Sequence, residues 1–196
     1  MNDFTLFFRK FLKHGTKIAS PAPSSRWLSL ATVSNIDWSR TTSLLELGAG
    51  TGPITQVIVE KARPDCRILA VERDPDFVRR LEVRFANTPN VEIIEGDVCN
   101  LPQILKERGL ENVDAVVSGL PIPSFPPDLQ KALFENVAQV LKPGGPFSQI
   151  TEMPWVYMKL YRRYFNNVRF RFEPRNLPPG GAYHCHSPKD ALGIGV

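Results

Sequence analysis

The sequence is short of the residues that would make its 196-residue chain a disulfide-framed, metal-built or membrane-spanning protein. It has three cysteines, Cys66, Cys99 and Cys185, an odd number with no CxxC spacing. A disulfide framework is therefore not expected, and a reducing cytoplasm suits the chain. Its three histidines are few. Two of them lie in His184-Cys185-His186, where strand geometry would point the histidines one way and the cysteine the other, so no metal site is expected. No stretch approaches 18 apolar residues, which excludes a bilayer-spanning helix on sequence grounds. There is no internal repeat, and the 18 prolines are scattered at turns rather than gathered in a low-complexity tract.

What remains is ordinary globular material: 42% apolar residues, enough chain for one domain with a sizeable core. The net charge of +4 is unevenly spread. Residues 1–43 carry six Lys/Arg against two Asp/Glu, residues 44–150 carry 11 against 15, and residues 151–196 carry seven against three. Two basic ends around an acidic middle suggest an anionic partner, a phospholipid surface or nucleic acid, unless the charge is simply solvated.

The first basic end opens with FTLFFRKFLK, residues 4–13. Phe4, Phe7, Phe8, Phe11 and Leu12 fall at helical spacing, interrupted by Arg9, Lys10 and Lys13. The apolar run is too short for a signal peptide and no cleavage pattern follows. A membrane-surface helix uses both halves of this composition, its rings dipping into the acyl boundary and its cations meeting anionic headgroups. A lid packed over a ligand site is the rival.

Beyond a second helix near 24–34, capped by Ser24 or Ser25, strands alternate with helices. Strands are expected at 43–47, 67–72, 91–96, 113–118 and 146–151, and helices at 53–63, 75–86, 101–109 and 126–145. The alternation then changes, to a helix at 155–165 and strands at 168–172 and near 182–187. In VRFRF, Val168, Phe170 and Phe172 take one face, and Arg169 and Arg171 the other, where the arginines serve a phosphate or guard a sheet edge. Five βα units followed by a hairpin predict a doubly wound α/β sheet with an antiparallel edge. We divide the chain into an N-terminal helical segment, 1–42, and a ligand-binding domain, 43–196.

The strongest local signal is LLELGAGTG, residues 44–52, a buried strand running through glycines into a helix. Gly48, Gly50 and Gly52 make GxGxG, whereas the dinucleotide fingerprint needs glycine at 53, where Pro53 stands. Glu46 in the approach would repel a pyrophosphate and attract a cationic group. Glu72 ends the second strand, 20 residues after Gly52, where an acid accepts from two ribose hydroxyls. Asp97 follows the third strand and reaches an adenine amino group. Ribose, adenine and a cationic amino-acid tail together describe S-adenosyl-L-methionine.

LLELGAGTGPIT, LAVERD, EGDV and LKPGG resemble the motif series of class I, Rossmann-like methyltransferases. The resemblance implies a seven-stranded sheet and S-adenosyl-L-methionine as methyl donor. It places Glu46, Leu47, Gly48, Gly50, Gly52, Glu72, Arg73, Asp97, Val98 and Ser118 at the cofactor. By topology Ser118-Gly119-Leu120-Pro121 lies beside the transferred methyl. Enzymes that methylate planar bases commonly carry an asparagine and a stacking ring here. This chain has Ser118 and Ile122 instead, so nucleic acid is an unlikely partner.

PAPSSRWL, SGLP, FSQIT and NLPP around that core resemble bacterial phospholipid N-methyltransferases, which methylate phosphatidylethanolamine toward phosphatidylcholine at the membrane surface. Glu152 stands where that family would carry a tyrosine. The resemblance implies a chain attached peripherally to the cytoplasmic face of an anionic phospholipid membrane, with Ser118, Gly119, Leu120 and Pro121 as the catalytic turn. The amine, with a pKa near ~10, is neutral in only about one molecule in a thousand at pH 7. Burial or a proton acceptor would favour the neutral form. Arg26 is the candidate for the lipid phosphate, and Tyr157 and Tyr183, with Trp155 and Tyr161, are candidates to face a methylated ammonium. Glu152 pairs with the amine or is a surface acid.

Overall fold

A computed structural model of the protein describes residues 25–189. The opening segment, with Phe4, Phe7, Phe8, Arg9, Lys10, Phe11 and Lys13, lies outside the described residues.

The first helix, α1 (Arg26–Thr32), is capped by Ser25, whose hydroxyl accepts from the Leu28 amide at 3.2 Å. The five parallel strands are β1 (Ser43–Leu47), β2 (Arg67–Glu72), β3 (Val91–Glu95), β4 (Ala115–Ser118) and β5 (Phe147–Thr151). Between them run α2 (Pro53–Lys61), α3 (Pro75–Phe85), α4 (Leu101–Lys106) and α5 (Pro127–Val140), each with proline in its first turn, where the missing N–H costs nothing. A short helix α6 (Met158–Tyr164) then leads into the antiparallel pair β6 (Phe165–Glu173) and β7 (Gly180–Pro188). The seven strands form one sheet in the order β3-β2-β1-β4-β5-β7-β6. This is the Rossmann-like class I architecture with a C-terminal hairpin that the motifs predict.

Every residue of β1 and β4 is buried, which fits their place between parallel neighbours with both sheet faces covered. On the α4–α6 face, Phe134 of α5 packs edge-on against Phe147, Phe165 and Tyr161. On the opposite face, Val33 and Ile36 join Ile54, Val57 and Ile58 of α2 over Leu44, Ile68 and Val117. Helix α1 packs on β5, β6 and β7. Residue 42 therefore marks the end of a segment, and residues 25–42 are built into the same fold.

Element boundaries differ from the sequence expectation where the chain makes a tertiary bond. Val113 forms an isolated bridge to Leu141, so α5 stops at Val140, the LKPGG run leaves the helix, and β4 begins two residues late. Trp155 takes φ 61°, a left-handed conformation that no helix interior accepts, so α6 starts at Met158. Phe165 pairs with Pro188 and belongs to β6 rather than to the helix.

One row of registered residues crosses the sheet near the carboxyl ends of the parallel strands. Val71, Leu47, Ser118, Gln149, Tyr183 and Phe170 are neighbours in that order. The row runs from the cofactor motifs on one side to the aromatic hairpin on the other.

Candidate active site

The glycine loop leaves β1 at Leu47 with three positive φ angles: 72° at Gly48, 56° at Gly50 and 82° at Gly52. Gly52 is then the cap of α2. A side chain at Gly48 would be excluded twice, by this φ and by Leu120, whose Cδ2 lies 2.5 Å from where a Cβ would stand. The Gly119 amide donates to the Leu47 carbonyl at 2.8 Å. Glycine loop and SGLP turn are thus in direct contact, as the topological argument requires.

Glu46 is fully buried at the foot of this loop, and neither carboxylate oxygen has a hydrogen-bond partner. Burial pushes its carboxyl up to about 7; Thr55 alongside pulls the value back in part, and the Glu72 charge adds to the rise. The Thr55 hydroxyl lies close to the carboxyl without forming a hydrogen bond to it. An uncompensated buried carboxylate is expensive, and a cationic ligand group would relieve that cost.

Glu72 is held by three backbone amides. Its Oε2 accepts from Gly50 at 2.8 Å, and its Oε1 accepts from Arg73 at 2.7 Å and Asp74 at 2.9 Å. A carboxylate offers about four lone-pair directions, so acceptor capacity remains. Asp97 accepts from the Cys99 amide through Oδ1, while its buried Oδ2 makes no hydrogen bond and stands 3.9 Å from Arg73 Nη1. Gly48, Val71, Glu72, Arg73, Val98 and Leu120 line one cleft. These residues fit S-adenosyl-L-methionine: an unpaired buried carboxyl for the charged tail, an acceptor at the second strand end, and another just past the third.

Across the row, Ser118 is buried and its Oγ accepts from the Leu120 amide at 3.3 Å. Ile122 is wholly buried in the core, so no group at that position stacks on a planar base. Gln149 sits beside Ser118 with 1% of its surface exposed. Its Nε2 donates to the carbonyls of Leu120, at 2.8 Å, and Ile150, at 2.9 Å, and its Oε1 is buried without a partner. In the sequence Gln149 is marked only by its place inside FSQIT, a polar residue in a mostly apolar strand.

Tyr183 is fully buried, stacked on Tyr161 at 4.6 Å between centroids and tilted against Phe170 at 4.9 Å. Its hydroxyl accepts from the Tyr157 amide at 2.9 Å, so the ring is packing that fixes the loop before α6. Arg26 is paired with Glu60 at 2.7 Å on the surface. Tyr157 is half-buried at the start of α6, and Glu152 is half-buried on the preceding loop.

Residues 44–145 match the model of a methyltransferase domain family. An ornithine lipid N-methyltransferase from Singulisphaera acidiphila is 61% identical over 192 residues, covering 98% of this chain and all of that protein. Among solved structures, a SAM-dependent O-methyltransferase from Thermotoga maritima superposes with a TM-score of 0.61 at 13% identity, over 91% of this chain and 72% of that one. Fibrillarin from Aeropyrum pernix, in complex with natively bound S-adenosyl-L-methionine, gives 0.62 at 16% identity, over 81% and 72%. The two structures share the fold.

Proposed function

The chain belongs to the SAM-dependent methyltransferase-domain family, and on that premise we propose that it methylates the amino group of an ornithine lipid at a membrane surface. The observation that carries this reading is the end-to-end likeness to a protein of that name, at 61% identity. Phosphatidylethanolamine, which the resemblance implied, is the second reading. Both lipids present a primary amine, and they differ in the anion beside it, a carboxylate in one and a phosphodiester in the other.

S-adenosyl-L-methionine supplies an electrophilic methyl group. Glu46 would meet its cationic amino-acid end, Glu72 its ribose hydroxyls, and Asp97 its adenine amino group, with Leu47, Gly48, Gly50, Gly52, Arg73 and Val98 forming the walls. The protein's own task is to present a neutral amine. Gln149 clamps the Leu120 carbonyl and leaves Oε1 as a buried acceptor. We assign Oε1 to an amine N–H, an arrangement that orients the nitrogen lone pair and excludes water; positioning of this kind supplies much of the catalysis in a transfer between two bound groups. Ser118, Gly119, Leu120 and Pro121 shape the turn against which the amine rests.

Membrane attachment belongs to the same proposal. Among the described residues no helix is long and apolar enough to cross a bilayer. Met153, Trp155, Val156, Phe172 and Leu177 are exposed on the loops and strand ends at the carboxyl end of β5 and in the β6–β7 turn. Trp155 stacks on Phe172 at 5.1 Å. Such a rim suits contact with acyl chains beside the acceptor turn.

The experiment is a competition. Vesicles holding ornithine lipid and phosphatidylethanolamine in equal amounts are incubated with the protein and S-adenosyl-L-methionine, and the lipids are read by mass spectrometry. Methyl gain on the ornithine lipid first is expected. Gain on phosphatidylethanolamine alone would replace the first reading with the second.

A further inference from the structure

A second concave surface lies on the α1 face of the β6–β7 edge, away from the cofactor cleft. It is lined by Ser34, Asn35, Arg169, Arg171, His184 and His186, among others, with a cavity volume of about 680 Å³. Among the described residues its lining includes no carboxylate. Cross-strand register explains the clustering: Arg169 stands opposite His184, and Asn167 opposite His186, so alternate residues of both strands share this face.

The polar groups here are mostly donors. Arg169 and Arg171 are exposed and make no ion pair or hydrogen bond among the described residues. Asn35 accepts from the Ser148 hydroxyl at 2.7 Å through Oδ1, and its Nδ2 is buried with no acceptor. His184 is more than nine-tenths buried, with Nδ1 at 3.1 Å from the Ser148 hydroxyl and Nε2 at 3.3 Å from that of Ser34. A buried amide N–H without a partner costs about 1–3 kcal/mol, and an oxyanion would satisfy it while meeting both guanidinium groups. Guarding the sheet edge accounts for the arginines, but it gives no reason for an unanswered donor at Asn35.

We propose that this groove is an oxyanion site, binding a phosphate-class group through Arg169, Arg171 and Asn35 Nδ2. The group comes either from a soluble phosphate compound or from a phospholipid headgroup, and the site is separate from the methyl-transfer reaction proposed above. Two variants test it on the full chain: the double change Arg169→Gln with Arg171→Gln, and Asn35→Asp, which keeps the Ser148 contact and exchanges the donor for an anion. Inorganic phosphate is titrated by calorimetry, and sedimentation with phosphatidylcholine vesicles is compared with and without phosphatidylglycerol.

Saturable phosphate binding by the wild type, weakened at least about tenfold in each variant, is expected from the loss of charged hydrogen bonds. Arg169→Lys with Arg171→Lys should restore most of it. Loss of anionic-vesicle binding in step with phosphate binding makes a headgroup the source; vesicle binding unchanged makes it a soluble phosphate. Circular dichroism and cofactor titration report whether each variant is folded. No saturable phosphate binding by the wild type, or undiminished binding in a folded Asn35→Asp protein, would overturn the proposal.

Discussion

A buried carboxylate with no partner stays neutral or waits for a cation. Glu46, raised from 4.5 to about 7, keeps a proton in the folded protein that the unfolded chain has already lost. Its contribution to stability is whole below pH 4.5 and disappears as the pH rises through 7. His184 runs the other way: burial first, then Arg171 and His186, push it from 6.5 down to about 4, so its contribution is present above pH 6.5 and lost as the pH falls through 4. Only the first slope vanishes in Glu46→Gln. Relative to the wild type, that variant should gain roughly 3 kcal/mol between pH 4 and pH 8 in urea titrations, the value of a shift of this size. It should also bind S-adenosyl-L-methionine at least about tenfold more weakly. A stability difference that does not change with pH would contradict the burial argument.

Gln149 is argued at the same scale. Gln149→Met keeps the volume and removes the hydrogen bond to the turn at Leu120 and the one to Ile150. We expect kcat to fall about 10–100-fold, with cofactor affinity by calorimetry held within a few-fold. Equal loss of both would mean that the residue only holds the fold. These residues were not equally legible. Glu46, Glu72 and Asp97 stand out in the sequence because each lies near the carboxyl end of an expected strand. Gln149 does not, because its role depends on the register that sets it beside Ser118, and register is a pairing between distant segments. The burial of Tyr183 is equally hidden, because a tyrosine near a site and a tyrosine inside a core look the same in a sequence.

At the scale of elements, the buried apolar strands and the proline-led helices were readable with small errors at their ends. The errors fell where tertiary bonds override local preference, as at Leu141, which leaves α5 to bridge Val113. The contact between glycine loop and acceptor turn makes its own prediction. Gly48→Ala brings a Cβ to 2.5 Å from Leu120 at a φ of 72°. The turn must move, so cofactor binding and methyl transfer should fall together, with a stability loss of about 1–3 kcal/mol. A folded Gly48→Ala protein with native activity would show that loop and turn do not depend on each other.

For the whole molecule, the charge pattern and the exposed rim carry the membrane proposal. Basic ends flank an acidic middle, and the apolar side chains of Met153, Trp155 and Val156 face solvent where the acceptor turn opens. Removal of residues 1–13 should reduce co-sedimentation with anionic vesicles, and Trp155→Ala should reduce it further; unchanged binding in both would leave the rim and the opening segment without that role. The two are not equally legible in the sequence: the basic opening is a contiguous run, whereas the rim is assembled from the loop after β5, the end of β6 and the β6–β7 turn.

The central claim is that a methyl group passes from S-adenosyl-L-methionine to a lipid amine. Methyl-labelled cofactor, offered with anionic vesicles containing ornithine lipid and, in parallel, with ribosomal RNA, measures this directly. The account predicts label in the lipid, sensitivity to Glu46→Gln and Gln149→Met, and none in the RNA. Label in RNA and none in lipid, from protein that binds the cofactor, would contradict it.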